Sequence, residues 1–307
     1  MKRITVNICS HNPNLEKLNY VLDSLKQQTI SSSLWDLTII DNASQTPIAT
    51  CIDLNWHPNA KILVEPKLGL LNARNCAIEQ TETELMLILD DDTSVASNYI
   101  EKALEIATAY PFVGCFGGNQ LGVFKQDPDP LVLPFLELVG HRIINTKRIA
   151  NLYEWNNTPA GAGAVIRTHI AKEYVKQTSK DPVRLGLGKR GESLMTSEDI
   201  DMAYTAIDMG YLNGLFPELI LHHYLPESNL SFAYLIKRTY FNTISSIILN
   251  YARFKKSPRR PSFIRFAIAW MKLTLKGKSF HAALLKAKRK GVLDALDKII
   301  QMQSIPH

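Results

Sequence analysis

Three consecutive carboxylates, Asp90-Asp91-Asp92, follow the apolar run Leu85-Met86-Leu87-Ile88-Leu89. An apolar run of this length, bounded by charge, reads as a strand inside a parallel sheet. In open α/β sheets ligands collect beyond the carboxyl ends of the strands, which is where these acids fall. Adjacent carboxylates repel, so a cation or a set of donors must offset their charge. Oxygen ligands of this kind suit a hard divalent ion such as Mg²⁺ or Mn²⁺, shared with a substrate phosphate. The alternative is an acidic turn whose last members cap the next helix.

Other reactive side chains sit at comparable places. Ile4–Cys9 reads as a first strand, closed by Ser10-His11-Asn12-Pro13, and Leu37–Ile40 as a second, closed by Asp41-Asn42-Ala43-Ser44. Arg74 lies in a helix expected over 71–81, where its guanidinium could clamp a carboxylate or phosphate bidentately. Glu198 and Asp199 open a helix expected to end at Met209-Gly210; Thr196-x-x-Asp199 also fits a helix-capping box. Leu219-Ile220-Leu221-His222-His223 reads as a strand. Alternation puts Leu219, Leu221 and His223 on one face, so one of the two imidazoles can serve a site.

The elements that must position these groups follow from periodicity. Strand, loop and helix recur every 30 to 40 residues through position 109, which predicts a parallel sheet with right-handed crossovers. Further strands are expected at 112–118 and 159–167, the latter rich in Gly and Ala and so open to close approach by a ligand or another backbone. The run 131–139 is a short helix or a cleft wall, and 179–196 a mobile lid or a solvated loop. No GxGxxG follows the first strand and no GxxxxGK[ST] occurs, which argues against a dinucleotide enzyme and a P-loop ATPase.

The net charge of +6 hides a split. Residues 228–307 hold 16 Lys and Arg against two acids, a net +14, and residues 1–227 carry −8. A basic rear of this kind meets an anionic surface, lipid or nucleic acid. It reads as helices over 232–254, 262–275 and 279–300; the second mixes Phe263, Phe266, Ile268, Trp270, Met271 and Leu275 with Arg265 and Lys272. That suits an amphipathic helix on anionic lipid, or helices packed on the rest of the chain with their cations snorkelling. The scattered Cys9, Cys51, Cys76 and Cys115 suggest free thiols in a reducing compartment. With no apolar leader and no run of 18 uncharged apolar residues, a cytoplasmic protein is expected, peripheral on the inner face of the plasma membrane if the rear meets lipid.

The order Ser10-His11-Asn12, Asp41-Asn42-Ala43-Ser44, Gly69 to Ala73-Arg74-Asn75, Leu89-Asp90-Asp91-Asp92, Glu198-Asp199, and Pro217-Glu218 followed by His223 resembles the inverting family 2 glycosyltransferases of GT-A fold. The resemblance covers residues 3–225. It implies an α/β GT-A fold, with a mostly parallel central sheet flanked by helices, over 1–227 and a helical extension over 228–307. It further implies that Asp41 and Arg74 hold the nucleotide, that Ser10 lines the base or ribose pocket, and that Asp90 contacts the ribose. Asp92 would bind the metal, Mn²⁺ or Mg²⁺, with Asp91 in either role. His223 would be a metal ligand or phosphate contact, Asp199 the general base, and Glu198 an acceptor contact or a support for its loop. The donor would be a nucleoside-diphosphate sugar and the acceptor a saccharide or lipid-linked saccharide, in polysaccharide or glycoconjugate synthesis. The competing class is a basic protein that binds nucleic acid or membrane without catalysis; no nucleic-acid-binding motif accompanies the basic rear.

Overall fold

A computed structural model describes residues 2–188 and 194–303. Nine strands form one mixed sheet: β1 (Ile4–Ser10), β2 (Asp36–Asp41), β3 (Ala60–Val64), β4 (Leu85–Asp90), β5 (Thr93–Val95), β6 (Val113–Val123), β7 (Arg148–Ala150), β8 (Val165–Arg167) and β9 (Leu212–Tyr224). The spatial order is β3-β2-β1-β4-β8-β6-β9-β5, with β7 beside β9. From β3 to β4 the strands run parallel; β8 is antiparallel to both β4 and β6. The helices α1 (Leu15–Lys26), α2 (Leu70–Glu79), α3 (Tyr99–Ala109), α4 (Thr168–Thr178) and α6 (Glu198–Asp208) accompany the sheet, and α5 (Pro182–Leu185) is a single turn capped by Asp181.

The pleat explains why β4 is apolar throughout. Leu85, Leu87 and Leu89 enter one core with Ile4, Val6, Ile8 and helices α1 and α3; Met86 and Ile88 enter the other with Ile78, Ile170, Tyr174 and Met202. A strand covered on both faces has no solvent side until it ends, and its first exposed position is Asp90.

The chain divides into two compact units. One comprises 1–124, 140–180 and 199–225 and contains the sheet; the other gathers 125–139, 181–198 and 226–307. In the second, α7 (Phe232–Phe254) and α9 (Ser279–Gln303) pack closely enough at Gly291 that a Cβ there would lie 2.8 Å from the Tyr240 carbonyl. Between them in sequence stands α8 (Phe263–Leu275). Arg238 on α7 donates to the carbonyls of Leu138 and Leu194, binding the three segments of this unit together.

Several expectations shift. The strand at 159–167 shrinks to 165–167, because Gly161 and Gly163 make a turn before it, Gly163 at φ +79°. The strand at 112–118 extends to 123, and 219–223 is the end of a 13-residue strand. The run 131–139 contains a 3-10 helix at 133–139. Of the stretch expected as lid or loop, 189–193 lie outside the described residues. All four cysteines are free, with Cys9 and Cys115 buried.

Candidate active site

The three acids of the β4 end do not share one environment. The strand stops at Asp90 and turns, so Asp90 and Asp92 do not continue the extended alternation. Asp90 lies on the α2 side and meets Arg74, whose Nη2 donates to Oδ1 at 3.2 Å. Asp91 accepts a short hydrogen bond from the Ser10 hydroxyl at the end of β1. Asp92 faces His223, with Nε2 to Oδ1 at 3.6 Å, and Lys17, with Nζ to Oδ2 at 3.8 Å. The repulsion inferred from sequence is thus relieved by the protein's own cations and donors, one set per acid.

The electrostatics follow that sorting. Burial and its acidic neighbours push the Asp91 carboxyl up to about 6, against the Ser10 hydrogen bond and the Lys17 charge. For Asp92 burial acts in the same upward direction, but the facing His223 ring and the Lys17 charge outweigh it and hold the carboxyl below its usual range. His223 is raised: burial opposes its charge, and Asp92 more than offsets that. The Gly140 backbone beside the ring acts in the same upward direction. Gly140 has φ +86°, and a Cβ there would stand 2.7 Å from His223 Nδ1, so a side chain at 140 is excluded twice over.

The loops that follow β1 and β2 enclose a cleft of about 380 Å³ lined by Asn12, Pro13, Leu15, Gln45, Ile48 and Cys51 among others. Two non-glycine residues in the left-handed region, Asn12 (φ 47°) and Ala43 (φ 55°), shape its loops. Their partners are fixed: Asn12 N donates to Ser44 Oγ, Gln45 N to Asn12 Oδ1, and His11 Nδ1 lies 2.8 Å from the Asn42 carbonyl. Asp41 is 3% exposed and holds this loop from within, accepting from the N–H groups of Ser44 at 3.0 Å and Ile48 at 2.9 Å. Burial raises its carboxyl, but these donors prevail and it lies below the ordinary range.

Asp199 stands on the first turn of α6. Its Oδ2 accepts from Gly161 N at 2.9 Å, and Oδ1 from Ile200 N at 2.8 Å. The Gly161–Ala164 turn is in turn bonded to β4, with Gly163 N to the Ile88 carbonyl at 2.8 Å and Ile88 N to the Ala164 carbonyl at 2.9 Å. The close approach that the small residues permit is therefore to β4 and to the Asp199 carboxylate: a Cβ on Gly161 would come within 2.9 Å of Oδ2. The capping-box alternative is not what is seen, since the Thr196 backbone N–H donates to Ser245 Oγ and the helix start uses Glu198, which accepts from Ser197 N at 3.1 Å. Glu198 is buried, at 4% exposure.

Arg74–Asp90, Ser10–Asp91 and His223–Asp92 are thus three contacts held together by the consecutive acids, Asp41 supports the cleft of the β1 and β2 loops from inside, and Asp199 on α6 is bonded to the turn docked to β4. His222 lies on the opposite side of the strand alternation, paired with Ser94 of β5. Arg238, the first arginine after β9, is committed to the carbonyls of Leu138 and Leu194. Three residues escaped the sequence reading. Lys17 had a signal: a cation in the first turn of a helix opposes the dipole and calls for another partner. Asn42 lay inside a quoted motif. Gly140 left no mark, because its demand comes from His223, far along the chain.

A divalent ion is implied by the resemblance, and Asp92 and His223, a carboxylate and an imidazole 3.6 Å apart, are donors of a kind such an ion takes. No group of three or more His, Cys, Asp or Glu side chains gathers for a metal among the described residues.

Comparison with known proteins gives the context. The model of the family "Glycosyl transferase family 2" matches residues 5–175, more than half of the chain. No curated protein matches the sequence. Among solved structures, residues 1–349 of S. aureus TarS in complex with UDP-GlcNAc align with a TM-score of 0.53 at 13% identity, covering 96% of this chain and 92% of that one. The mannosyltransferase PcManGT from Pyrobaculum calidifontis, in complex with GDP-Man and Mn²⁺, aligns with a TM-score of 0.56 at 17% identity, covering 99% and 76%. GalNAc-T7 with UDP, GalNAc and Mn²⁺ aligns at 0.54 and 14%, covering 81% of this chain and 51% of that one. At such identities the likeness is one of fold, a GT-A-like α/β arrangement with a mixed sheet. The sequence match reaches from the first strand through the carboxylate turn to α4, and on that match the chain belongs to glycosyl transferase family 2.

Proposed function

We propose that this protein transfers a sugar from a nucleoside-diphosphate sugar to an acceptor hydroxyl, with inversion and with a divalent metal, in polysaccharide or glycoconjugate synthesis. The observation that carries the reading is the sorting of the three acids, each on a different partner at the carboxyl end of β4. In the proposed arrangement the nucleotide occupies the cleft between the β1 and β2 loops, with Ser10, Arg74, Asp90 and Asp91 around its ribose and phosphates and Asp41 holding the loop that lines it. Asp92 and His223 would hold Mn²⁺ or Mg²⁺ together with diphosphate oxygens. The ion would supply charge stabilisation to the departing nucleoside diphosphate.

Asp199 is the general base of this reading. Its carboxylate takes the proton of the acceptor hydroxyl, the freed oxygen pair forms the new bond to the anomeric carbon, and the bond from that carbon to the diphosphate breaks, its electrons leaving with the nucleotide. Gly161 N–H fixes one carboxylate oxygen in the ground state, which orients the base. Glu198, buried on its own helix start, supports the loop in this reading. The catalytic region is 1–227 and the basic helices of 228–307 form an extension facing an anionic membrane, where a lipid-linked saccharide acceptor would be found, on the cytoplasmic side.

The test is thermal stabilisation by UDP, GDP and other nucleoside diphosphates with and without Mn²⁺. A nucleotide at ~100 times its Kd should stabilise by about 2.7 kcal/mol. Asp92→Ala should lose the metal-dependent part, and Asp199→Ala should keep it while losing sugar transfer. Absence of any metal-dependent shift across the nucleotides would overturn the reading.

A further inference from the structure

Helix α8 buries none of its residues. Ile264, Ile268, Met271 and Leu275, spaced by four, three and four, stand on one stripe of it. They are 70%, 47%, 52% and 82% exposed. The opposite side faces α9, where the Arg289 guanidinium lies over the Phe266 ring at 4.9 Å. A continuous apolar stripe left in water is costly unless something covers it.

Its surroundings say what covers it. Lys255, Lys256, Arg259 and Arg260 form an exposed linker before the helix, Arg265 and Lys272 run along one side of the stripe, and Lys276 and Lys278 follow. Between Glu227 and Asp294 the sequence has no carboxylate. A second copy of the chain would set this cationic rim against itself, and nucleic acid has no use for the apolar stripe. Thirteen residues give a helix of about 20 Å, too short for a hydrocarbon core of about 30 Å. Among the described residues no helix is long and apolar enough to cross a membrane.

We propose that α8 lies in the interface of an anionic bilayer, with Ile264, Ile268, Met271 and Leu275 among the acyl chains and the cations of 255–260, Arg265, Lys272, Lys276 and Lys278 on lipid phosphates. This deepens, and rests on, the reading of the basic extension as facing an anionic membrane.

The experiment is cosedimentation of the full chain with vesicles of phosphatidylcholine alone or with phosphatidylglycerol. Binding is expected to the anionic vesicles, and to be at least about tenfold weaker on neutral ones. Ile268→Asp with Met271→Asp should lower it by about tenfold or more, since charge replaces inserted apolar surface. Both positions are exposed, so the fold is expected to persist. Replacing Lys255, Lys256, Arg259 and Arg260 by Gln should remove most of the salt-sensitive part. The proposal is overturned by no binding to anionic vesicles, by binding that the two Asp substitutions leave intact, or by those substitutions dissolving a dimer in light scattering. The shift with UDP or GDP and Mn²⁺ is recorded on the same samples. Vesicle binding without that shift would sink the transferase reading alone, and the shift without vesicle binding would sink this one alone.

Discussion

At the scale of single residues, the placement of Asp199 depends on an atom that is not there. Gly161 leaves room for the carboxylate, and a Cβ at that position would fall 2.9 Å from Asp199 Oδ2 and 3.0 Å from its Cβ. Gly161→Ala should therefore push Asp199, the proposed base, out of line while the proposed nucleotide cleft stays intact. The expected outcome is a fall in kcat of about 100-fold, comparable to the loss of a positioned base or a misplacement near 1 Å. Nucleotide binding measured by thermal shift should change little. A parallel fall in both would mean that the turn supports the donor site rather than the base.

At the scale of elements, Asn42 ties the loop after β2 to the loop between β3 and α2. Its Nδ2 donates to the carbonyls of Glu65 and Lys67, and its Oδ1 accepts from Gly69 N, the residue that starts α2 at φ +133°. The β2 loop thereby sets where α2 begins, and α2 carries Arg74 to Asp90. Asn42→Ala removes three hydrogen bonds and should cost about 2–4 kcal/mol in urea unfolding. It should also weaken nucleotide binding, because the α2 start that aims Arg74 is loosened. Unchanged affinity in a measurably destabilised variant would show that α2 is placed by its packing against the sheet alone. The three C-terminal helices were legible almost residue for residue, since their apolar period and the Pro- and Gly-bearing breaks at 257–261 and 277 are local signals. The 159–167 strand was misjudged because small residues suit a close-packed strand and a tight turn equally well, and only β4 and Asp199 decide between them.

At the scale of the whole molecule, stability should depend on pH through a group remote from the site as well as one within it. His57 is 3% exposed between Trp35 and Trp56, with ring centroids at 4.2 and 5.2 Å, and burial pushes it down to about 4. A histidine lowered in the folded state contributes its full stability above its unfolded value of 6.5. The unfolded chain binds a proton first, so that stability is lost as pH falls from about 6.5 to about 4. The size is on the order of 3 kcal/mol. Asp91, raised to about 6, works in the opposite direction over nearly the same window, because its folded form takes up a proton more readily than the unfolded one. The His57 contribution is therefore read as the difference between the wild type and His57→Phe. Denaturation at pH 7.5 and pH 4.5 should show a smaller loss on acidification in the variant, and an equal loss would remove His57 as a cause.

What the amino-acid sequence determined by itself was whatever short-range periodicity encodes: the order of strands and helices, the acids placed where β4 leaves its double core, and the accumulation of positive charge after residue 227. Tertiary structure alone decided the partners. Asp90 meets a guanidinium 16 positions earlier, Asp91 a hydroxyl 81 positions earlier, and Asp92 an imidazole far along the chain together with the Lys17 ammonium. Such pairings have no local signature, because they arise where separate strand ends converge on one edge of a sheet, and the same convergence selects the glycines at 140 and 161 that leave His223 and Asp199 their places.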